Sequence, residues 1–360
     1  MGKTIVLTGG GTAGHVIPCI ALLSGLHKAS YKVRYIGSHD GIEKDLITKE
    51  NIEYHGISTG KFRRYLSRKN ILDMFRVLKG ISDARWLLKK KRPDIIFSKG
   101  GFVSVPVVIA GRLLGIPIII HESDLTCGLA NKISIPFANV VCVSFPETLS
   151  NLPKLSKNAK AVLTGSPIRA EIFSGIKKHG AKTCGFDGKK PVLLIICGSL
   201  GSVKINDAVR EALPKLLEQF QVVHIVGNGN IDKTISLNGY KQFEYVREDL
   251  PHIFALSDIC VSRAGANSIC ELAALKKPML LIPLSKNASR GDQILNAVSY
   301  EKQGFARVLY EEDLSKDTLL SCVKEVYENK TKYTENMNKS KQLSGTEAIL
   351  RLIAENTPAT

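Results

Sequence analysis

The sequence predicts an α/β protein made of two doubly wound, Rossmann-like domains facing across a cleft. Three observations predict it. Short apolar runs alternate with longer segments of helical spacing, the βαβ pattern of parallel sheets covered on both faces. The opening unit of strand, glycine loop and helix returns mid-chain, TIVLT (4–8) before Gly9 and PVLLIIC (191–197) before Gly198. The length of 360 residues suits about two domains.

The first half offers strands at 4–8, 32–36, 94–97, 116–120, 139–143 and 160–164, each a short apolar run. A helix is expected over 16–29, where Ile20, Leu23 and Leu26 recur at helical spacing and Pro18 takes an early position. Gly165-Ser166-Pro167-Ile168-Arg169 ends the alternation, so the linker is placed near there. The domains become 1–164 and 165–341. The second half offers strands at 191–197, 221–226, 242–246, 258–262, 279–283 and 306–309, and helices at 205–220, 313–328 and about 331–354. The last helical segment, about 342–358, lacks a local sheet to cover and is expected to return to the first domain.

Composition narrows the function classes. No apolar run approaches the ~18 residues of a membrane span, and the N-terminus lacks a signal-peptide pattern, so a cytosolic location is expected. The eight cysteines include no C-x-x-C pair, which speaks against a zinc site or a disulfide framework. The net charge is +17, which suits phosphorylated ligands, nucleic acid or an anionic membrane. Residues 61–92 hold twelve Lys or Arg against Asp73 and Asp83. Leu72, Phe75, Leu78 and Trp86 stand among Arg63, Arg64, Arg68 and Lys69, a mixture that suits a membrane interface better than a DNA-binding arm. The alternative is an ordinary helix whose apolar stripe faces inward under a basic face.

Gly9, Gly11 and Gly14 satisfy G-x-G-x-x-G. A dinucleotide fold also wants an acid at the end of the second strand. That strand ends in Gly37-Ser38, and the nearest acid considered is Asp40. A loop whose helix start faces an anion remains, with His15 in the first helical turn. A capping turn is the bland alternative. Lys99-Gly100-Gly101-Phe102 and His121-Glu122-Ser123-Asp124 crowd the next two strand ends, where such sheets bind ligands.

GGGTAGH (9–15), KGGF (99–102), HESDLTCGLANK (121–132), GSPIR (165–169), CGSLGS (197–202), SRAGANSICE (262–271) and GDQILNA (291–297) occur in that order. Together they resemble the MurG family, membrane-associated N-acetylglucosaminyltransferases of peptidoglycan synthesis with the GT-B fold. Ala13, Asp124 and Cys127 depart from the usual family pattern. The resemblance implies an inverting transfer of GlcNAc from UDP-GlcNAc to the C4 hydroxyl of the muramoyl sugar of undecaprenyl-pyrophosphate-linked lipid I. It implies no cofactor and no obligate metal, and the chain contains no D-x-D. It also implies a peripheral place on the cytoplasmic face of the bacterial membrane, with anionic inner-leaflet lipids and other cell-wall synthesis proteins as partners and no nucleic acid.

By the same resemblance, Ser199 and Arg169 meet the donor diphosphate, with the helix start at Ala264, Gly265 and Asn267. Glu271 holds the ribose hydroxyls, the Val246 backbone meets uracil, and Asp292 and Gln293 read the sugar. The acceptor diphosphate lies on Thr12, Ala13 and Gly14. His15 is the candidate base, with Glu122 and Asp124 as alternatives. Two other classes stay open: another GT-B UDP-sugar enzyme, such as a lipid glycosyltransferase or a UDP-GlcNAc epimerase, and a non-catalytic basic protein that binds membrane or nucleic acid.

Overall fold

The computed structural model describes residues 2–60, 68–198, 200–286, 291–340 and 344–358, with backbone alone at 68–74. The chain divides into two compact units, Met1–Arg169 with Ser344–Thr360, and Ala170–Leu343.

The first unit runs β1 (Thr4–Thr8), α1 (Ala13–Lys28), β2 (Lys32–Ser38), α2 (Ile42–Thr48), β3 (Glu53–Ile57), α3 (Arg68–Lys90), β4 (Ile95–Ser98), α4 (Ser104–Leu113), β5 (Ile118–Glu122), α5 (Leu129–Ser134), β6 (Val140–Val143), α6 (Pro146–Ser150) and β7 (Lys160–Leu163). Its parallel sheet has the order β3-β2-β1-β4-β5-β6-β7. Central strands such as β4 are buried along their whole length, as expected of a sheet with helices on both faces.

The second unit runs α7 (Lys177–Cys184), β8 (Val192–Ile196), α8 (Val203–Gln219), β9 (Gln221–Ile225), β10 (Tyr240–Phe243), α9 (Leu250–Leu256), β11 (Ile259–Ser262), α10 (Ala266–Ala274), β12 (Met279–Leu281), α11 (Asp292–Lys302), β13 (Ala306–Val308), α12 (Lys316–Glu328) and α13 (Lys330–Lys339). Its parallel sheet has the order β10-β9-β8-β11-β12-β13. The final helix α14 (Thr346–Asn356) belongs to the first unit.

The structure alters several sequence expectations. β3 is an additional strand. The 331–354 helix is two helices, α13 and α14. α14 buries Ile349, Leu352 and Ile353 and lies so close to α1 that a Cβ on Gly25 would stand 2.2 Å from Leu350. α1 begins at Ala13, three residues early, so Pro18 sits inside the helix, where it supplies no N–H. The break between the units falls directly after Arg169, at the end of the segment near which the linker was expected, and the segment itself is bonded to the start of the last helix. Ser166 O accepts the Gly345 N–H at 2.8 Å, and the Ile168 N–H donates to Thr346 Oγ1 at 2.9 Å. These bonds hold Ser166 and Ile168 to the first unit.

Candidate active site

Each sheet reverses its winding once, between β1 and β4 in the first unit and between β8 and β11 in the second. Ligands of such sheets bind outside the carboxyl ends of the strands at these switch points. The GGGTAGH and KGGF segments follow β1 and β4. The CGSLGS and SRAGAN segments follow β8 and β11.

In the first unit, Thr12 precedes α1 in extended conformation and makes no side-chain cap, and no acid stands in the first turn. The positive end of the helix is thus not neutralised from within. His15 lies in that turn, half-buried. Burial, reinforced by the Lys99 ammonium, lowers its pKa to about 4, against smaller opposing effects of the Lys99 backbone and of Glu43. The imidazole is therefore neutral at physiological pH. Gly101 has φ +82°, and a Cβ there would stand 2.3 Å from Gly10 O and 2.9 Å from His15 Cδ2. Only glycine lets the two loops meet over the imidazole.

Lys99 is 1% exposed, and its ammonium donates to Ser123 Oγ. His121 Nε2 lies 3.0 Å from Gly165 O. Burial, with the Lys99 charge, pushes its pKa well down. Glu122 is buried, and Oε1 accepts the Asp124 N–H at 3.1 Å. Its Oε2 accepts Gly128 N–H at 3.0 Å and Asn131 Nδ2 at 2.9 Å. Burial first, with Asp124 adding to it, raises its pKa. These bonds make Glu122, the alternative base, an organiser of the 123–131 loop. Asp124 is half-buried on that loop.

A cavity of about 730 Å³ adjoins the glycine loop. Gly11, Thr12, Ser38, Ser58, Arg76 and Lys79 are among its lining residues. It lies over the ends of β1, β2 and β3 and receives two cations from α3. Beneath it sits Glu43 of α2, fully buried, which sequence reasoning missed.

In the second unit, Gly198 has φ +86° and opens on empty space, and Ser202 caps α8 by accepting the Ile205 N–H. Ser199 lies outside the described residues. Arg263, also missed, ties the strand ends together. It donates to Ser202 Oγ at 2.7 Å, to Ile282 O at 3.1 Å, to Pro283 O at 3.3 Å and to the Glu311 carboxylate. α10 starts after Gly265 with no side-chain cap and no acid in its first turn, again leaving a positive helix end. Ala264 is buried, while Asn267 and Glu271 are half-buried. Asn296 Nδ2 donates to Ala264 O at 3.2 Å, and Gln293 Oε1 accepts the Leu284 N–H at 3.1 Å. Asp292 opens α11. Val246 is not in a strand as expected. The ladder ends where Val226 N–H and Gly227 N–H donate to Phe243 O and Glu244 O, and Val246 lies buried in the following turn. Arg169, expected to meet the donor diphosphate, is the last residue of the first unit before the break.

The glycosyltransferase family 28 N-terminal domain matches residues 5–143, and the family's C-terminal domain matches residues 192–352. The chain belongs to glycosyltransferase family 28. Within the family it is 56% identical to a protein of Clostridium tetani, over 98% of both chains. It is 57% identical to one of Lachnospira eligens, over 99% of both. Both relatives are named UDP-N-acetylglucosamine–N-acetylmuramyl-(pentapeptide) pyrophosphoryl-undecaprenol N-acetylglucosamine transferase. Acinetobacter baumannii MurG has the same fold, with TM-score 0.76 and 24% identity over 98% of this chain and 99% of that one. So has the calicheamicin glycosyltransferase, with TM-score 0.68 and 14% identity over 99% and 100%. Both matches are of the GT-B fold. In this family 28 chain, the described residues include one cluster of metal-capable donors, His179, Asp249 and His252. It lies on α7 and at the start of α9 rather than at either switch point. His252 Nδ1 already accepts the Ile176 N–H at 2.9 Å.

Proposed function

We propose that this family 28 enzyme transfers GlcNAc from UDP-GlcNAc to the C4 hydroxyl of the N-acetylmuramyl-pentapeptide carried on pyrophosphoryl-undecaprenol, with inversion. The observation that carries the reading is the full-length likeness to relatives bearing that name.

The residues supply a consistent chemistry. An inverting displacement needs a base for the acceptor hydroxyl and stabilisation of the departing diphosphate. His15 is the base. With a pKa of about 4, the imidazole alone is too weak a base. A pyrophosphate bound at Thr12, Ala13 and Gly14 brings negative charge beside the ring and raises that pKa toward the working range. Arg76 and Lys79 in the adjoining cavity suit the same anion. On the donor side, Ser199 and the start of α10 at Ala264, Gly265 and Asn267 meet the UDP diphosphate. Glu271 accepts from the ribose hydroxyls, Val246 offers backbone to uracil, and Asp292 and Gln293 meet the sugar. Helix ends take the place a metal holds in other transferases.

The acceptor is lipid-linked, and none of the described helices is long and apolar enough to cross a membrane. We place the enzyme on the cytoplasmic membrane surface through α3. Phe75, Leu78 and Trp86 are 63%, 58% and 62% exposed, while Val77, Ala84 and Leu88 are buried beneath. The large apolar side chains thus face outward, against the reading of an ordinary inward stripe. Lys79, Arg85, Lys89 and Lys90 are exposed alongside, each contributing about 1 kcal/mol near an anionic surface. Arg63 and Arg64, and the side chains of Arg68, Lys69 and Leu72, lie outside the described residues.

Transfer of radiolabelled GlcNAc from UDP-GlcNAc to lipid I, with diacylglycerol as control, tests the activity. Label on diacylglycerol alone would overturn it. Replacing Phe75, Leu78 and Trp86 together by Ser should weaken binding to anionic vesicles at least tenfold, with turnover of a short-tailed soluble acceptor kept. Unchanged vesicle binding would overturn the docking.

A further inference from the structure

Glu43 is 0% exposed, and a buried carboxylate is costly unless its oxygens are hydrogen-bonded. Here they are. Oε2 accepts the Gly11 N–H at 3.1 Å, and Oε1 accepts the Ser38 N–H at 3.0 Å together with the Ser38 hydroxyl. Gly11 belongs to the loop after β1, and Ser38 ends β2. Both line the cavity beside α1, so one carboxylate joins two of its walls. The surrounding backbone is shaped to admit it. A Cβ on Gly10 would stand 2.6 Å from the Glu43 carboxyl carbon, and one on Gly41 would stand 2.2 Å from Oε1.

The placement is paradoxical for a loop that receives an anion, because a negative charge lies directly behind it. We propose that Glu43 is a positioning residue that sets the depth at which the acceptor's pyrophosphate seats. This inference rests on the proposed function. Glu43 turns the Gly11 N–H inward and repels an anion that would follow it. The anion therefore stops at the start of α1, on Thr12 to Gly14. That seat fixes where the linked sugar hydroxyl stands relative to His15, one turn into the same helix. A merely structural carboxylate would hold the loop without setting this register.

Glu43→Gln separates the two roles. It preserves size, removes the charge and turns an N–H2 donor against the Gly11 or Ser38 N–H. Depth-setting predicts that inorganic pyrophosphate binds E43Q at least threefold tighter by calorimetry, since the repulsion is gone. It also predicts that kcat with a short-tailed lipid I analogue falls about tenfold, while the UDP-GlcNAc KM stays within twofold. Weaker or unchanged pyrophosphate binding in folded E43Q, or an unchanged kcat, would overturn the proposal. A measurement on the unaltered protein decides the case even if E43Q does not fold. Amide hydrogen exchange should find Gly11 protected equally with and without saturating pyrophosphate, while the amides of Thr12 to Gly14 gain protection. A Gly11 amide that is exposed in the free protein, or that gains protection from the anion, would equally overturn it. Both pyrophosphate readouts are independent of turnover. An enzyme that fails to use lipid I but shows them refutes the function and not the role of Glu43.

Discussion

The two switch points share one backbone plan and differ in what lies beneath it. Each has a strand, a glycine turn, and a helix start without side-chain cap or acid, at α1 in the first unit and α10 in the second. Under the first lie ionisable groups: His15, Lys99, Glu43 and His121, with Glu122 one loop away. Under the second lies Arg263, saturated by two backbone carbonyls, Ser202 and Glu311. The outcome is a division of labour. A titratable group held at a helix start can move a proton. A guanidinium consumed by its own struts holds loops in place and leaves the helix end to attract phosphate. On the proposed function, the first unit would carry proton transfer and the second donor binding.

The sharpest way to break this comparison is to remove the one group with chemistry to offer. His15→Ala should lower kcat by about 10²-fold or more, the usual scale for loss of a general base, with the UDP-GlcNAc KM within twofold. The pH profile adds a second reading. With the free-enzyme pKa at about 4, kcat/KM for the acceptor should show no His15 limb between pH 5 and 8. The limb in kcat, which reports the bound state, should lie higher. Full kcat with a raised acceptor KM would make His15 a binding residue and dissolve the contrast between the units.

The complementary test is Glu271→Ala in the second unit. Loss of charged hydrogen bonds to ribose is worth about 2–3 kcal/mol, which is roughly a 30- to 150-fold rise in donor KM, with the acceptor KM unchanged. A donor KM that does not move would take Glu271 out of the site and weaken the case for a dedicated binding unit.

How much of this was legible in the sequence follows from where each side chain's environment originates. The central strands announce themselves because both faces are buried. β3 did not, because it is an edge strand supported by ion pairs. Arg34 Nε lies 2.9 Å from Glu53, and Lys91 meets the same carboxylate. Edge polarity of that kind has no apolar signature. His15 was legible because a helix start after a glycine loop is a local pattern. Glu43 was not, since an acid in the first turn of a short helix reads as an exposed dipole partner. Only the packing of β1, β2 and α2 buries it. Gly165 to Arg169 has the composition of a linker, but its backbone bonds go to residues almost 180 positions later.

The smallest effect isolates the buried histidines. A histidine whose native pKa lies below its unfolded value of about 6.5 costs nothing above that pH, where both states are neutral. Below it the unfolded chain binds the extra proton, so stability falls as pH falls from 6.5 toward the native pKa. In the first unit this loss sums over His15 and His121, with Glu122 opposing, because its raised pKa lets the native state hold a proton that the unfolded chain has released. The second unit offers a cleaner case. His224 is fully buried, 3.0 Å from both Tyr240 Oη and Asn206 Oδ1. Burial, then the Arg210 charge, lowers its pKa to about 3. Between pH 7 and 5 it should remove about 2 kcal/mol from the second unit, read as loss of hydrogen-exchange protection across β8 and β9. His224→Gln should flatten that response in the second unit and leave the first unit's acid response intact. An equal flattening in both units would mean that they unfold as one, and that the separation drawn from their switch points does not extend to stability.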